Sequence, residues 1–209
     1  MPGNFRFLYL VSGAFAGVLT EILISRKTKS SAAGGPFRVR TAVCGVLSAL
    51  VFSAAVMCFP AIGQIRVLPF SVLMLAIAIY DEDTHRIPNA LILLSLIPFA
   101  VTCIPMRDYM EALPGALLLG GGTLAVTLAA DRLMGRSTLG GGDIKLLFVI
   151  GLYLKAGKGV LCLMTACLLA LIGMVIRRKK VLAFGPYLCA AAMMCLFSGD
   201  QILDWYISL

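Results

Sequence analysis

Charge is what this sequence has least of. Only 13% of its 209 residues are Asp, Glu, Lys or Arg, while 60% are hydrophobic. A mean hydropathy of +0.98 excludes a water-soluble core. Acid is scarcer still, with 10 Asp and Glu against 18 Lys and Arg. There is one histidine, His85, and none of the 7 cysteines stands in a C-x-x-C pair, so the spacing of a structural zinc site is missing. The cysteines all fall inside apolar segments and read as small hydrophobes. No internal repeat and no second domain are evident, which leaves one membrane-embedded domain over residues 1–209. The net charge of +8 does not argue for nucleic acid. The basic residues stand beside apolar runs, where they mark cytoplasmic loops and meet anionic lipid.

What is present is a series of long apolar runs. They predict an all-α, polytopic helical bundle in the lipid bilayer, with candidate spans at 7–24, 42–62, 67–80, 87–106, 112–130, 144–154, 159–176 and 181–199. The first run is followed by basic residues and lacks a small-residue cleavage site, so it is expected to stay as a span rather than be removed as a signal peptide. Two runs are short. Residues 67–80 and 144–154 reach only about 21 and 17 Å as helices, against roughly 30 Å of hydrocarbon. Each must be extended or must thin the bilayer locally. Alternating the loops puts 13 of the 18 basic residues on one side, beginning with Arg26, Lys27, Lys29, Arg38 and Arg40. That side is the cytoplasmic one by the positive-inside rule, and both termini lie opposite. Lys29 to Pro36, rich in Ser, Ala and Gly, reads as a short cytoplasmic linker.

Two of the few acids coincide with the two short spans. Asp81 follows the run 67–80 and Asp143 precedes the run 144–154, so the topology brings both to the cytoplasmic boundary. Extending either helix to a spanning length draws its aspartate toward the hydrocarbon edge, where an unpaired carboxylate is costly. Two carboxyls close together in a low-dielectric site cannot both ionise and share one proton, which suits them to combined acid and base work on a peptide bond. Such chemistry needs no metal and no organic cofactor. Gly140, Gly141 and Gly142 precede Asp143 and are expected to give the backbone unusual conformations and room for a substrate strand. The similar run Gly120 to Gly122 reads instead as helix packing.

The segments D-E-D-T-H-R-I-P-N, Asp81 to Asn89, and G-G-G-D-I-K-L-L, Gly140 to Leu147, closely resemble the paired signatures of type IV prepilin peptidases, the G-x-G-D membrane aspartyl proteases. In that family the first aspartate lies seven residues before the Pro, as Asp81 does before Pro88, and the second closes the G-x-G-D motif, as Asp143 does. The resemblance extends to F-G-P at Phe184 to Pro186 and loosely to S-G-A-F in the first span. It implies a catalytic pair Asp81 and Asp143. It also implies prepilin or pseudopilin substrates with a basic leader before a hydrophobic helix, and cleavage at the cytoplasmic face of the cell (inner) membrane. Many members carry paired C-x-x-C zinc ligands between the first two spans and are linked to N-methylation of the new amino terminus. Here that loop, 25–40, holds no cysteine, so the short form is expected to act as a peptidase without methyl transfer.

The neighbours read more plainly. Asp83 is about 200° around a helix from Asp81 and is taken as a helper or a solvated charge. Lys145 matches the lysine of the family's D-I-K-L, although a lysine at a helix end also simply reaches for lipid headgroups. Pro88 and Asn89 are expected to open the fourth span and shape the turn presenting Asp81. His85 reads as a solvated loop residue without a catalytic role, and Glu21 and Asp131 as carboxylates reaching water or nearby basic residues. Two other functions carry some of the same features. A presenilin-like intramembrane protease shares Tyr80-Asp81 and G-x-G-D, but its P-A-L signature is absent. A proton-coupled transporter would place its acids nearer the midplane.

Overall fold

The chain's two short spans are lengthened by what flanks them. In the computed structural model, which describes residues 3–28, 37–135, 139–177 and 183–208, Pro60 caps a helix that begins at Ala61 and runs to Thr84. The sequence reading carried the second span to residue 62 and began the third at 67. Pro60 moves that boundary, because it has no amide to continue a helix and its fixed φ suits a helix start. Residues 61–66 therefore join the third helix, and its 24 residues cover about 36 Å, enough to cross a bilayer. The linker Lys29 to Pro36 and the basic residues Arg136, Arg178, Lys179 and Lys180 lie outside the described residues.

All regular structure among the described residues is helical. In chain order the helices are α1 (Gly3–Thr28), α2 (Phe37–Cys58), α3 (Ala61–Thr84), α4 (Asn89–Met106) and α5 (Tyr109–Met134), the last with a π-helical stretch at Leu117–Gly121. A further helical run, Gly141–Arg177, is broken at Lys155, whose φ of 62° and ψ of −175° are not helical. The break divides it into α6 (141–154) and α7 (156–177) and reverses the chain. Gly157 and Gly199, near the break, pack against Leu203 and Lys158, whereas Gly173 far along α7 lies against Tyr187. Asp143 at the start of α6 lies within reach of Cys189. The start of α6 and the end of α7 are thus at one level of the bundle, as the sequence reading of separate sixth and seventh spans requires. α8 is Gly185–Ile207.

Burial separates the centre from the lipid face. In α6, Leu146, Leu147, Val149, Ile150, Leu152 and Leu154 are all buried, which is why this short helix reads as an unbroken apolar run. α3 buries Val67, Phe70, Met74 and Ile77 and packs against α1, α2, α4 and α8. Outward faces instead expose Phe15, Val46, Leu93, Val126 and Leu171, as helices bathed in hydrocarbon do. Small residues let backbones touch. A Cβ on Gly115 would stand 2.6 Å from the Gly151 carbonyl oxygen, so α5 and α6 meet at a glycine pair, and one on Gly17 would stand 2.6 Å from the Cys44 carbonyl oxygen. Of the Gly120 to Gly122 run, Gly120 packs against Phe148 and the other two face open space. Of the two outcomes expected for Glu21, water is not the one found: it is 0% exposed, with the Cys44 thiol 3.9 Å from its Oε2.

Candidate active site

Three helix ends converge on the two acids. Asp81 lies in the last turn of α3, only 5% exposed. The first amides of a helix have no intrahelical acceptor. In α8 the second residue, Pro186, has no amide at all, and the Phe184 carbonyl accepts from Tyr187 and Leu188, both at 3.1 Å. The Gly185 amide is left to donate outward, and it donates to Asp81 Oδ2 at 3.0 Å. Only glycine fits here, because a Cβ would stand 2.6 Å from that same oxygen. Asp81 thereby sits at the positive end of the α8 dipole.

Asp143 lies in the first turn of α6, its amide bonded to the Gly140 carbonyl at 3.1 Å, and its side chain is half-buried. It is within electrostatic reach of Asp81. Cys189, one turn into α8 and 3% exposed, is within reach of both. Asp81 and Asp143 are thus within electrostatic reach of each other, with Cys189 of α8 within reach of both. Each carboxylate then makes ionisation of the other less favourable.

The residues around the pair interlock. α3 ends where His85 turns left-handed, with φ 51°, and its amide donates to the Asp81 carbonyl at 2.8 Å. His85 is exposed, as expected, but it shapes the turn through its backbone and its ring is within electrostatic reach of Asp81. Pro88 stands just before α4, its carbonyl accepting from Leu91 at 3.1 Å, and Asn89 is the first helical residue. Two contacts then join this turn to the start of α6. Lys145 Nζ donates to Asn89 Oδ1 at 3.0 Å, and a Cβ on Gly142 would stand 3.0 Å from Ile87 Cβ. Asp83 is half-buried, and because α3 stays helical through Thr84 it occupies a different face from Asp81.

One expectation is corrected. None of Gly140, Gly141 and Gly142 takes a left-handed φ; among the described residues the glycine that does is Gly135. Their use is space instead. Gly142 admits Ile87 and Gly140 leaves room for the Asp143 carboxylate, 3.1 Å from where its Cβ would be, while Gly141 faces open space. Gly185 and Cys189 were not picked out as site residues from the sequence. The F-G-P segment was the available signal for the first; nothing marked the second among seven apolar-segment cysteines.

Fold and site together define a multi-pass helical membrane protein that brings two carboxyls from separate helices within electrostatic reach at one end of the bundle. The chain matches the type IV leader peptidase family over residues 68–176, a stretch holding both acids, and it belongs to that family. It is 29% identical over 162 residues to the prepilin leader peptidase/N-methyltransferase of Aeromonas salmonicida (strain A449), covering 71% of this chain and 54% of that protein. It is 28% identical over 190 residues to the protein of the same name from Aeromonas hydrophila, covering 83% and 63%. The Legionella pneumophila protein of that name is 24% identical over 145 residues, covering 65% and 50%. The chain thus spans about half to three-fifths of the length of the curated relatives it matches. No solved structure matches it.

Proposed function

We propose that the chain is an aspartyl endopeptidase that removes the basic leader from type IV prepilins or pseudopilins at the cytoplasmic face of the inner membrane. The observation that carries this reading is the juxtaposition of Asp81 and Asp143 across α3 and α6, 62 positions apart in sequence. The pair shares one proton. The ionised carboxyl takes a proton from water as its oxygen attacks the scissile carbonyl carbon, and the protonated carboxyl gives its proton to the carbonyl oxygen. Collapse of the resulting diol breaks the C–N bond, and a carboxyl proton passes to the leaving amine. The Gly185 amide donates to Asp81 Oδ2 and so holds that carboxyl's orientation.

A groove of about 360 Å³ between α2, α3 and α8 starts beside the acids, at Pro186 and Cys189, and continues past Ala78, Leu75, Met74 and Ser71. Its apolar lining suits the hydrophobic segment that follows the cleaved bond, with the basic leader on the aqueous side near Asp81, Glu82 and Asp83. This reading is of a peptidase without methyl transfer, in keeping with the cysteine-free loop between α1 and α2. The family match lends nothing to a presenilin-like protease or a transporter. The test is co-expression of the full chain with a candidate prepilin from the same genome. Leader removal on a gel is expected with the unchanged chain and is expected to be lost with Asp81→Asn or Asp143→Asn while each variant stays in the membrane. Cleavage that survives both substitutions would overturn the assignment.

A further inference from the structure

The end of α3 opposite Asp81 carries a second polar cluster, centred on Arg66, that the proposed chemistry does not use. The sequence places Arg66 among the basic residues of the non-cytoplasmic side, yet its side chain is only 7% exposed. Its Nη1 lies 2.6 Å from Asp108 Oδ2, and its Nη2 donates to the Leu152 carbonyl at 3.0 Å. The guanidinium carbon lies 4.7 Å from the Phe99 ring centre and 5.0 Å from that of Tyr153. Tyr153 in turn stacks on Phe70 at 3.9 Å and donates its hydroxyl to the Ser95 carbonyl at 2.6 Å. Lys155, at the break between α6 and α7, pairs with Asp108 at 3.4 Å and Glu111 at 2.5 Å.

The chemistry of the Leu152 bond is specific. The break at Lys155 puts Leu152 in the last turn of α6, where carbonyls lose their intrahelical donors and the dipole is negative. A guanidinium answers both, and its planar fork reaches Asp108 and Leu152 at once, as a lysine's single ammonium cannot. Between this cluster and the acids, Phe70 of α3 stacks on Tyr153 of α6, and Met74 and Ile77 of α3 belong to the same buried apolar core as Leu146, Leu147 and Ile150 of α6. In lipid, helices are held together by close packing and by interhelical hydrogen bonds, and the directional bonds of Arg66 add a fixed axial reference that a helix transmits: Arg66 and Asp81 are about 22 Å apart along α3.

We infer that Arg66 is a positioning residue that sets the axial register of α3 against α6, and through it the approach of Asp81 to Asp143. The consequence for cleavage rests on the peptidase reading above; the consequence for register does not. Two variants test it, Arg66→Met and the charge-conserving Arg66→Lys, each in the full chain reconstituted in vesicles. Register is read as the distance between spin labels on Glu82→Cys and Gly141→Cys, both exposed positions, with the exposed Cys58 and Cys167 replaced by Ser. The expected result is a label distance that shifts or broadens by about 2 Å in both variants. Cleavage kcat is expected to fall by on the order of tenfold to a hundredfold with KM within about twofold, the cost of a misplacement near 1 Å. A merely structural role would lower yield or melting temperature and leave the label distance and kcat of the folded protein alone. Should Arg66→Met fail to fold, Arg66→Lys decides the matter. An unchanged label distance in folded Arg66→Lys overturns the inference, whatever its kcat. If the distance moves but the unchanged chain cuts no prepilin, the register inference stands and the peptidase reading falls.

Discussion

The two ends of the α3–α6 pair are built on opposite electrostatic plans. At one end Arg66 meets Asp108, Asp108 meets Lys155, and Lys155 meets Glu111, so every charge has an opposite partner and aromatic rings close over the guanidinium. At the other end Asp81 and Asp143 approach as like charges, with the Gly185 amide donating to Asp81 and the His85 ring within electrostatic reach of it. A satisfied network specifies position and does no chemistry; a like-charged pair in a recess is unstable in its fully ionised form and is suited to moving protons. On the proposed reading the same two helices hold a lock at one end and a reactive pair at the other, and the substitutions that follow are expected to separate the two.

The largest effect is expected at the reactive end. Asp81→Asn, Asp143→Asn and the double variant should each lower the cleavage rate by on the order of 10²–10⁴-fold. The double variant should be no worse than either single one, because the pair acts as a unit. Kinetics of leader removal on purified protein measure this, and losses that multiply in the double variant would break the pair into two independent residues. Gly185→Ala comes next. Its new Cβ would stand 2.6 Å from Asp81 Oδ2, and displacing that carboxyl should cost on the order of tenfold to a hundredfold in kcat with little change in melting temperature.

Gly142→Ala and Gly141→Ala form a finer comparison on neighbouring residues. At Gly142 a Cβ meets Ile87 at 3.0 Å, whereas at Gly141 it meets nothing within 4 Å. The rate should fall further for Gly142→Ala than for Gly141→Ala, and equal losses would mean that the glycines serve something other than room for Ile87. The smallest effect is expected at Lys145. Its bond to Asn89 is exposed, so Lys145→Ala should lower stability by no more than about 1 kcal/mol, read as a small shift in thermal unfolding in detergent.

Both acids were legible before any coordinates because each stands at the end of an apolar run too short to span, although α3 gains most of its added length from residues 61–66 at its other end. The bundle itself was legible from run lengths, although Pro60 redrew one boundary. What could not be read was whatever depends on distant partners. Gly185 meets Asp81 across 104 positions, and Arg66 meets Leu152 across 86; no local pattern carries either contact. Arg66 therefore read as one more basic loop residue. Glu21 misled for a similar reason, because a carboxylate near a span end can be solvated or, as here, enclosed by neighbouring helices.

The most direct measurement is the rate of leader removal by the purified full chain in lipid vesicles, followed across pH for the unchanged protein and for each single asparagine variant. Sharing of one proton between Asp81 and Asp143 demands one ionised and one protonated carboxyl. The unchanged chain should therefore give a rate that rises and then falls with pH, and both variants should stay at least about a hundredfold slower at every pH. A folded Asp81→Asn or Asp143→Asn protein that still cleaves, at any pH, at a tenth or more of the unchanged rate would contradict it.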